Sequence, residues 1–311
     1  MLVYVFRKLL NTIPTIFGVA IIIFVLFNMV GGDPTYQMVG RHATQRQIEE
    51  VRHEYGLDQP KIVQFGEYLK QIVTFDYGRS FATKQPIKKM IVDGIGPSLT
   101  LTVPAFFLTT VLAVSLGLLV AYFRGKAIDK ITVVLCVFGM SLPMLAYILF
   151  GQYFLAYKMG WFPISGFETG WPDRFEYVLL PMLIFVAVSL GYDVRFYRTA
   201  MLEEVNQDYV RTARAKGLSE PRIFFKHVLK NSMVPILTNV VIEIPLLILG
   251  AFLLESFFGI PGLGSITIDA VHNSDFPVIK AMTTLQALLF ILGNLATDLM
   301  YTLVDPRVSF K

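Results

Sequence analysis

Residues 208–221, Asp-Tyr-Val-Arg-Thr-Ala-Arg-Ala-Lys-Gly-Leu-Ser-Glu-Pro, crowd charge into a short run between long apolar stretches. Their chemistry is ionic docking and not bond making. Read as a helix, Val205, Tyr209 and Ala213 fall at four-residue steps and form one apolar stripe, while Arg211, Arg214 and Lys216 occupy other faces. Gly217 suits the left-handed residue that ends a helix, and Ser219 before Glu220-Pro221 reads as the N-cap of the next. Two readings fit: a surface built to dock on something in the cytoplasm, or an ordinary basic loop retained by topology.

A second polar set lies inside apolar segments. Asn239 and Glu243 are one helical turn apart, with Gly250 on roughly the same face, and Gln286, Asn294 and Asp298 share a face at multiples of four. An ionisable group in lipid costs roughly 2.5–3.5 kcal/mol at a helix centre, so these side chains should face protein or water. Asn239, Glu243, Gln286 and Asn294 are pore-lining candidates. A buried structural hydrogen bond serves Glu243 equally well, and Asp298, near a helix end, suits a basic partner. Gly117, Gly139, Gly151 and Gly293 suit close helix packing.

Catalytic machinery is missing from the sequence. No G-x-x-x-x-G-K-[ST] phosphate loop, no H-E-x-x-H and no G-x-S-x-G occurs. His42, His53, His227 and His272 are scattered, so no metal site is expected, and Gly262-Leu-Gly264 reads as a turn. The single cysteine, Cys136, lies in an apolar run and excludes an intramolecular disulfide.

The elements that must position these residues are membrane helices. Of 311 residues, 54% are hydrophobic and 16% charged, whereas soluble domains carry about 25% charged residues. Spans of about 20 residues are expected near 9–30, 98–123, 131–157, 178–199, 234–257 and 281–303. The fourth has an ambiguous lower edge, because its apolar run stops near Tyr192, and Arg195 and Arg198 beyond it can snorkel to the interface. The first is read as an uncleaved anchor, since no small-residue cleavage site follows it.

With the N-terminus inside, cytoplasmic segments hold fifteen Lys and Arg and the short outer loops three, Lys158, Arg174 and Lys280. Both termini are therefore expected in the cytoplasm. The net charge of +4 is explained by this asymmetry, and no nucleic-acid partner is expected.

The expected organisation is an anchor span at 1–30, an external helical region at 31–97, and a five-span core at 98–311 carrying a cytoplasmic loop at about 200–233. In the external region Thr44 can cap a helix bearing Ile48, Val51 and Tyr55 that ends at Gly56. A second starts near Pro60, and a third runs from Pro86 towards Val92. This region is either a docking surface for an external partner or a spacer over the membrane.

Several motifs, taken in order, resemble those of the dipeptide, oligopeptide and nickel permeases of binding-protein-dependent ABC importers. They are Gly32-Asp33-Pro34, Tyr55-Gly-Leu-Asp-Gln-Pro60, Asp76-Tyr-Gly-Arg-Ser80, Ser141-Leu-Pro143, Trp161-Phe-Pro-Ile-Ser-Gly166 and Glu255-Ser-Phe-Phe-Gly-Ile-Pro-Gly-Leu-Gly264. Ala213-x-x-x-Gly217 with Asn231-x-x-x-Pro235, and Asn294-x-x-x-Asp298-Leu-Met-Tyr301-x-x-x-Asp305-Pro-Arg307, complete the set. Where the general permease signature opens Glu-Ala-Ala, this chain has Arg211-Thr212-Ala213, a variant usual in the peptide subfamily.

The resemblance covers nearly the whole chain. It implies an all-α, six-span, type I importer permease with a helical external insertion after the first span, placed in the bacterial inner membrane. It further implies a similar second permease, two ATPase subunits (or a homodimer of one) that bind ATP and Mg, and an external substrate-binding protein. Arg211, Thr212, Ala213, Arg214, Ala215, Lys216, Gly217, Leu218 and Ser219 would form the contact that transmits ATPase closure. Di- or oligopeptides are the expected cargo; nickel chelates, glutathione-like compounds and oligosaccharides are alternatives. A stand-alone secondary transporter would leave the charged loop and the missing inverted repeat unexplained. An intramembrane enzyme would lack its catalytic set.

Overall fold

A computed structural model of the chain describes residues 2–30, 35, 44–54 and 56–304, with side chains described for those of them from residue 7 to residue 298 except 30 and 54. Gly32-Asp33-Pro34, His42, Tyr55 and Asp305-Pro306-Arg307, and the side chain of Tyr301, lie outside the described residues.

The described chain is helical. Helix α1 (Leu2–Val25) ends in a π-turn, Leu26–Val30. Two shorter helices follow, α2 (Gln45–Glu54) and α3 (Lys61–Thr74). The Thr44 hydroxyl accepts from the Gln47 N–H at 3.4 Å and the Gln47 side chain accepts from the Thr44 N–H at 2.9 Å, a capping box that starts α2. Gly56, at φ 62°, turns the chain towards α3.

The expected third external helix is the beginning of something longer. Helix α4 runs unbroken from Ile87 to Tyr122, 36 residues, or about 54 Å at 1.5 Å per residue. That exceeds a hydrocarbon core of about 30 Å, so the turns after Pro86 continue the second span beyond the bilayer.

The third span is also not one straight rod. Helices α5 (Ala127–Ser141) and α6 (Met144–Phe150, continuing in π form to Lys158) meet at 93°. The turn falls where Pro143 has no N–H to donate and Leu142 before it is extended at φ −87°, ψ 131°.

The fourth span is longer than its apolar run suggests. Helix α7 extends from Asp173 to Val205. Asp193 is 4% exposed, so it lies inside the protein and does not mark the span's edge. Arg198 reaches Asp129 at the start of α5, donating Nε to Oδ1 at 2.8 Å and Nη2 to Oδ2 at 3.0 Å. Its charge is answered by a carboxylate as well as by position.

After α8 (Asp208–Ala215) come α9 (Glu220–Ile223), a π-turn and α10 (Leu229–Leu249). A break at Gly250 (φ 75°) separates α10 from α11 (Phe252–Phe258). Helices α12 (Leu263–His272) and α13 (Phe276–Val304) follow. Among the described residues five helical stretches are long and apolar enough to cross a membrane, six if the bent α5–α6 pair is one span.

Helices α4 and α7 form the principal pair, with α5 against α7, α10 against α4 and α13, and α1 against α13. Lys8 and Asp298 meet at 2.5 Å, so α1 and α13 run antiparallel and Asp298 takes the basic partner expected of it. The 76–86 loop is clamped to the turn before α13. Buried Asp275 accepts from the Ser80 hydroxyl at 2.5 Å and from the Phe81 and Ala82 N–H groups at 3.0 and 3.1 Å. The Tyr68 hydroxyl on α3 pairs with that of Thr284 on α13 at 2.8 Å.

Candidate functional site

The charged segment forms the expected hairpin. Helix α8 ends in a paired-hydrogen-bond stop: the Gly217 N–H donates to Arg214 C=O at 2.9 Å and the Leu218 N–H to Ala213 C=O at 3.2 Å. Gly217 takes φ 79°, and a Cβ there would meet nothing within 4 Å. Its requirement is conformational and not one of space. Ser219 is extended and precedes α9. Arg214 grips Glu220 across the turn with two bonds of 2.7 and 3.1 Å, and the Glu220 carboxylate raises the guanidinium's pKa.

The buried side of the hairpin is specific. Val210 and Ala213, 0% and 5% exposed, enter one core with Tyr197 and Met201 of α7, Ile223, Phe224 and Ile236. Val205, Tyr209 and Leu218 pack around it. The predicted stripe is thus present, with Val210 as its centre; spacing by four passed over it because Val210 follows Tyr209 directly. Burial first, then the Glu204 carboxylate that accepts from it, push the Tyr209 phenol up to about 12.

Arg211, Thr212, Arg214, Ala215, Lys216, Gly217 and Ser219 remain exposed. The nine expected contact residues therefore divide into seven that face outward and two, Ala213 and Leu218, that seat the hairpin on the spans.

The intramembrane candidates fall into two separate pairs. On α10, Asn239 donates to Glu243 at 2.8 Å, and both are half-buried beside Tyr197 and Asp193 of α7. On α13, Gln286 and Asn294 are exposed. No hydrogen bond among the described residues joins the two pairs. Among the described residues no group of three or more His, Cys, Asp or Glu is arranged to hold a metal.

Known proteins match this chain along its sequence. Residues 113–310 match the family described as binding-protein-dependent transport system inner membrane component. Residues 1–102 match the N-terminal domain of such transport-system membrane components. The chain belongs to this permease family. It is 34% identical over 311 residues to the glutathione transport system permease protein GsiC of Shigella flexneri serotype 5b and of Escherichia coli K12, covering the whole of each chain. Against the protein of the same name from Salmonella typhi the identity is 33%, again over both full lengths. The chain is accordingly a multi-pass inner-membrane permease of an ABC importer.

The permease also contains a polar constellation that sequence reasoning quoted as a motif without assigning it work. Glu255 is 0% exposed and accepts from the N–H groups of Ala251, Gly264 and Ser265 at 3.0, 2.7 and 3.2 Å. The Ser98 hydroxyl also bonds it and accepts from the Leu263 N–H at 2.8 Å. One carboxylate thus caps α12 and closes the break after α10. A Cβ on Gly250 would lie 2.0 Å from its Oε1, and one on Gly262 2.3 Å from its Oε2. The signal in the sequence was an acidic residue flanked by glycines just before a helix start.

The neighbouring motif docks on the same element. The Gly166 N–H donates to Phe258 C=O at 2.7 Å, and the Gln152 amide donates to Ile164 and Phe257 carbonyls at 3.1 and 2.9 Å. The Trp161–Gly166 and Glu255–Gly264 motifs are two sides of one contact.

Proposed function

We propose that this permease passes small peptides across the inner membrane, glutathione-like tripeptides included, and that the α8 hairpin receives the stroke of a partner ATPase. The observation that carries this is the division of the hairpin. Seven of the nine residues from Arg211 to Ser219 are exposed and largely basic or small, while Val210, Ala213 and Leu218 pack against α7 and the start of α10. A force applied to the outer side reaches two spans through packed side chains.

In this reading both termini lie in the cytoplasm. The chain is one half of a pathway completed by a second, similar permease, with ATP and Mg held by two ATPase subunits and cargo delivered by an external binding protein. Gln286 and Asn294, exposed on α13, face that pathway. Asn239 and Glu243 answer each other's polarity within the bundle. The relatives' names support glutathione as cargo, and the peptide subfamily motifs support the wider class.

The test is reconstitution of the assembled transporter in proteoliposomes with its binding protein. ATP-driven uptake of glutathione or dipeptides is expected, together with crosslinking of a cysteine at Lys216 to the ATPase. Uptake without ATP, or a Lys216 cysteine that crosslinks to no ATPase in a transporting complex, would overturn the assignment.

A further inference from the structure

Where α1 ends and α13 begins, the permease has a half-open cavity of about 970 Å³, near the upper end for sites that take small molecules. It lies between α3, the 76–81 loop and the first turn of α13. Span alternation puts it on the face of the membrane opposite α8.

The cavity's charges are unequally answered. Asp58 is engaged by His53 at 2.9 Å, and Glu67 pairs with Lys70 at 3.4 Å. Lys280 meets neutral groups: its Nζ donates to the Asn28 side-chain oxygen at 2.9 Å and lies 4.1 Å from the Tyr68 ring centroid and 5.4 Å from that of Phe24. Lys61 donates to the Asn28 carbonyl at 3.0 Å and to Gln64 at 3.4 Å. Two ammonium groups therefore converge on Asn28, and no carboxylate pairs with either among the described residues.

Two cations sharing neutral partners repel each other, and an acceptor with negative charge placed between them relieves that repulsion.

We propose that this cavity binds a small ligand through a carboxylate, with Lys280 and Lys61 as counter-charges. Both a free peptide C-terminus and an acidic side chain of a docked protein carry that group. The cavity's size and the convergence of donors inside it fit the free molecule.

The experiment uses the full chain in lipid nanodiscs without binding protein, and trialanine as probe with its C-terminus free or amidated. Calorimetric or ligand-observed NMR binding is expected for the acid, with the amide weaker by about tenfold or more. Lys61→Gln changes an exposed residue and should weaken the acid severalfold while leaving the amide unchanged. Lys280→Gln should weaken it further, and Lys280→Arg should retain it. Equal affinity for acid and amide, binding insensitive to both lysine replacements, or no binding of the acid to the isolated permease would each overturn the proposal. The last outcome, with uptake intact, would assign the pocket to an acidic group on the binding protein and leave the transport assignment standing.

Discussion

Pro245 of α10 occupies the space where a side chain on Gly293 of α13 would begin: a Cβ there would lie 1.9 Å from the proline Cγ and 2.9 Å from its Cβ. Neither atom is the end of a flexible chain, so relief requires the helices to part. Pro245 also forfeits a backbone N–H donor inside α10. The Leu247 carbonyl nearby is taken by the Thr102 hydroxyl of α4 at 2.8 Å, which ties this bend to a third helix.

Gly293→Ala is therefore expected to destabilise the permease more than an ordinary helix-interior exchange would suggest. Glycine to alanine in a helix gains about 1 kcal/mol on propensity, whereas overpacking costs about 1–3 kcal/mol or more. The melting temperature in detergent should fall. A rise would show that α10 and α13 part freely.

Asp275→Ala should loosen the 76–86 loop. The buried carboxylate holds three donors, and each one left unmet costs on the order of 1–3 kcal/mol unless water replaces it. Limited proteolysis should cut between Asp76 and Gln85 in the variant and spare the parent. Asp275→Asn, which keeps one acceptor oxygen, should fall between them.

Glu255→Ala should be among the most damaging single changes in the permease. It removes the acceptor for three N–H groups and leaves a void bounded by Gly250, Gly262 and Gly264. Glu255→Gln keeps the shape yet turns an NH₂ group towards donors, so it should recover part of the stability. Accumulation in the membrane and thermal unfolding of purified protein check the order Glu, Gln, Ala.

The helical class, the number of long apolar segments and the α8 hairpin were legible in the sequence because each rests on local rules. Apolar length marks spans, Gly217 marks a left-handed stop, and Thr44 marks a cap. Tertiary facts were not legible. The 93° turn at Leu142–Pro143 needed the neighbouring helices, since proline inside α4 at Pro97 and Pro104 leaves that helix unbroken. The apolar run of the fourth span looked finished near Tyr192 because hydropathy cannot see that Asp193, just beyond it, is buried inside the bundle. Tyr209 and Ala213 could be placed on a helix face, but that Val210 centres the buried side depends on α7 and on the chain beyond Ile223.

Seating on the core separates two substitutions that a sequence pattern would treat alike. Ala213→Asp puts a charge into a site 5% exposed, packed beside Tyr197 and Phe224. Burying an unpaired carboxylate is costly, so the hairpin should detach and the protein should lose stability as well as transport. Gly217→Val meets no neighbour; its penalty is the left-handed backbone, about 1–2 kcal/mol for an ordinary L-residue and more for a β-branched one. The spans should remain folded and bound to the sister permease while the turn between α8 and α9 re-forms and the exposed basic residues point elsewhere. In reconstituted transporter Gly217→Val should keep subunit content and melting temperature close to the parent's and lose most uptake, either by releasing the ATPase or by hydrolysing ATP without transport. Ala213→Asp should lower the melting temperature first. If Gly217→Val transports like the parent, the turn does not transmit the stroke, and the basic hairpin reduces to a loop that fixes orientation.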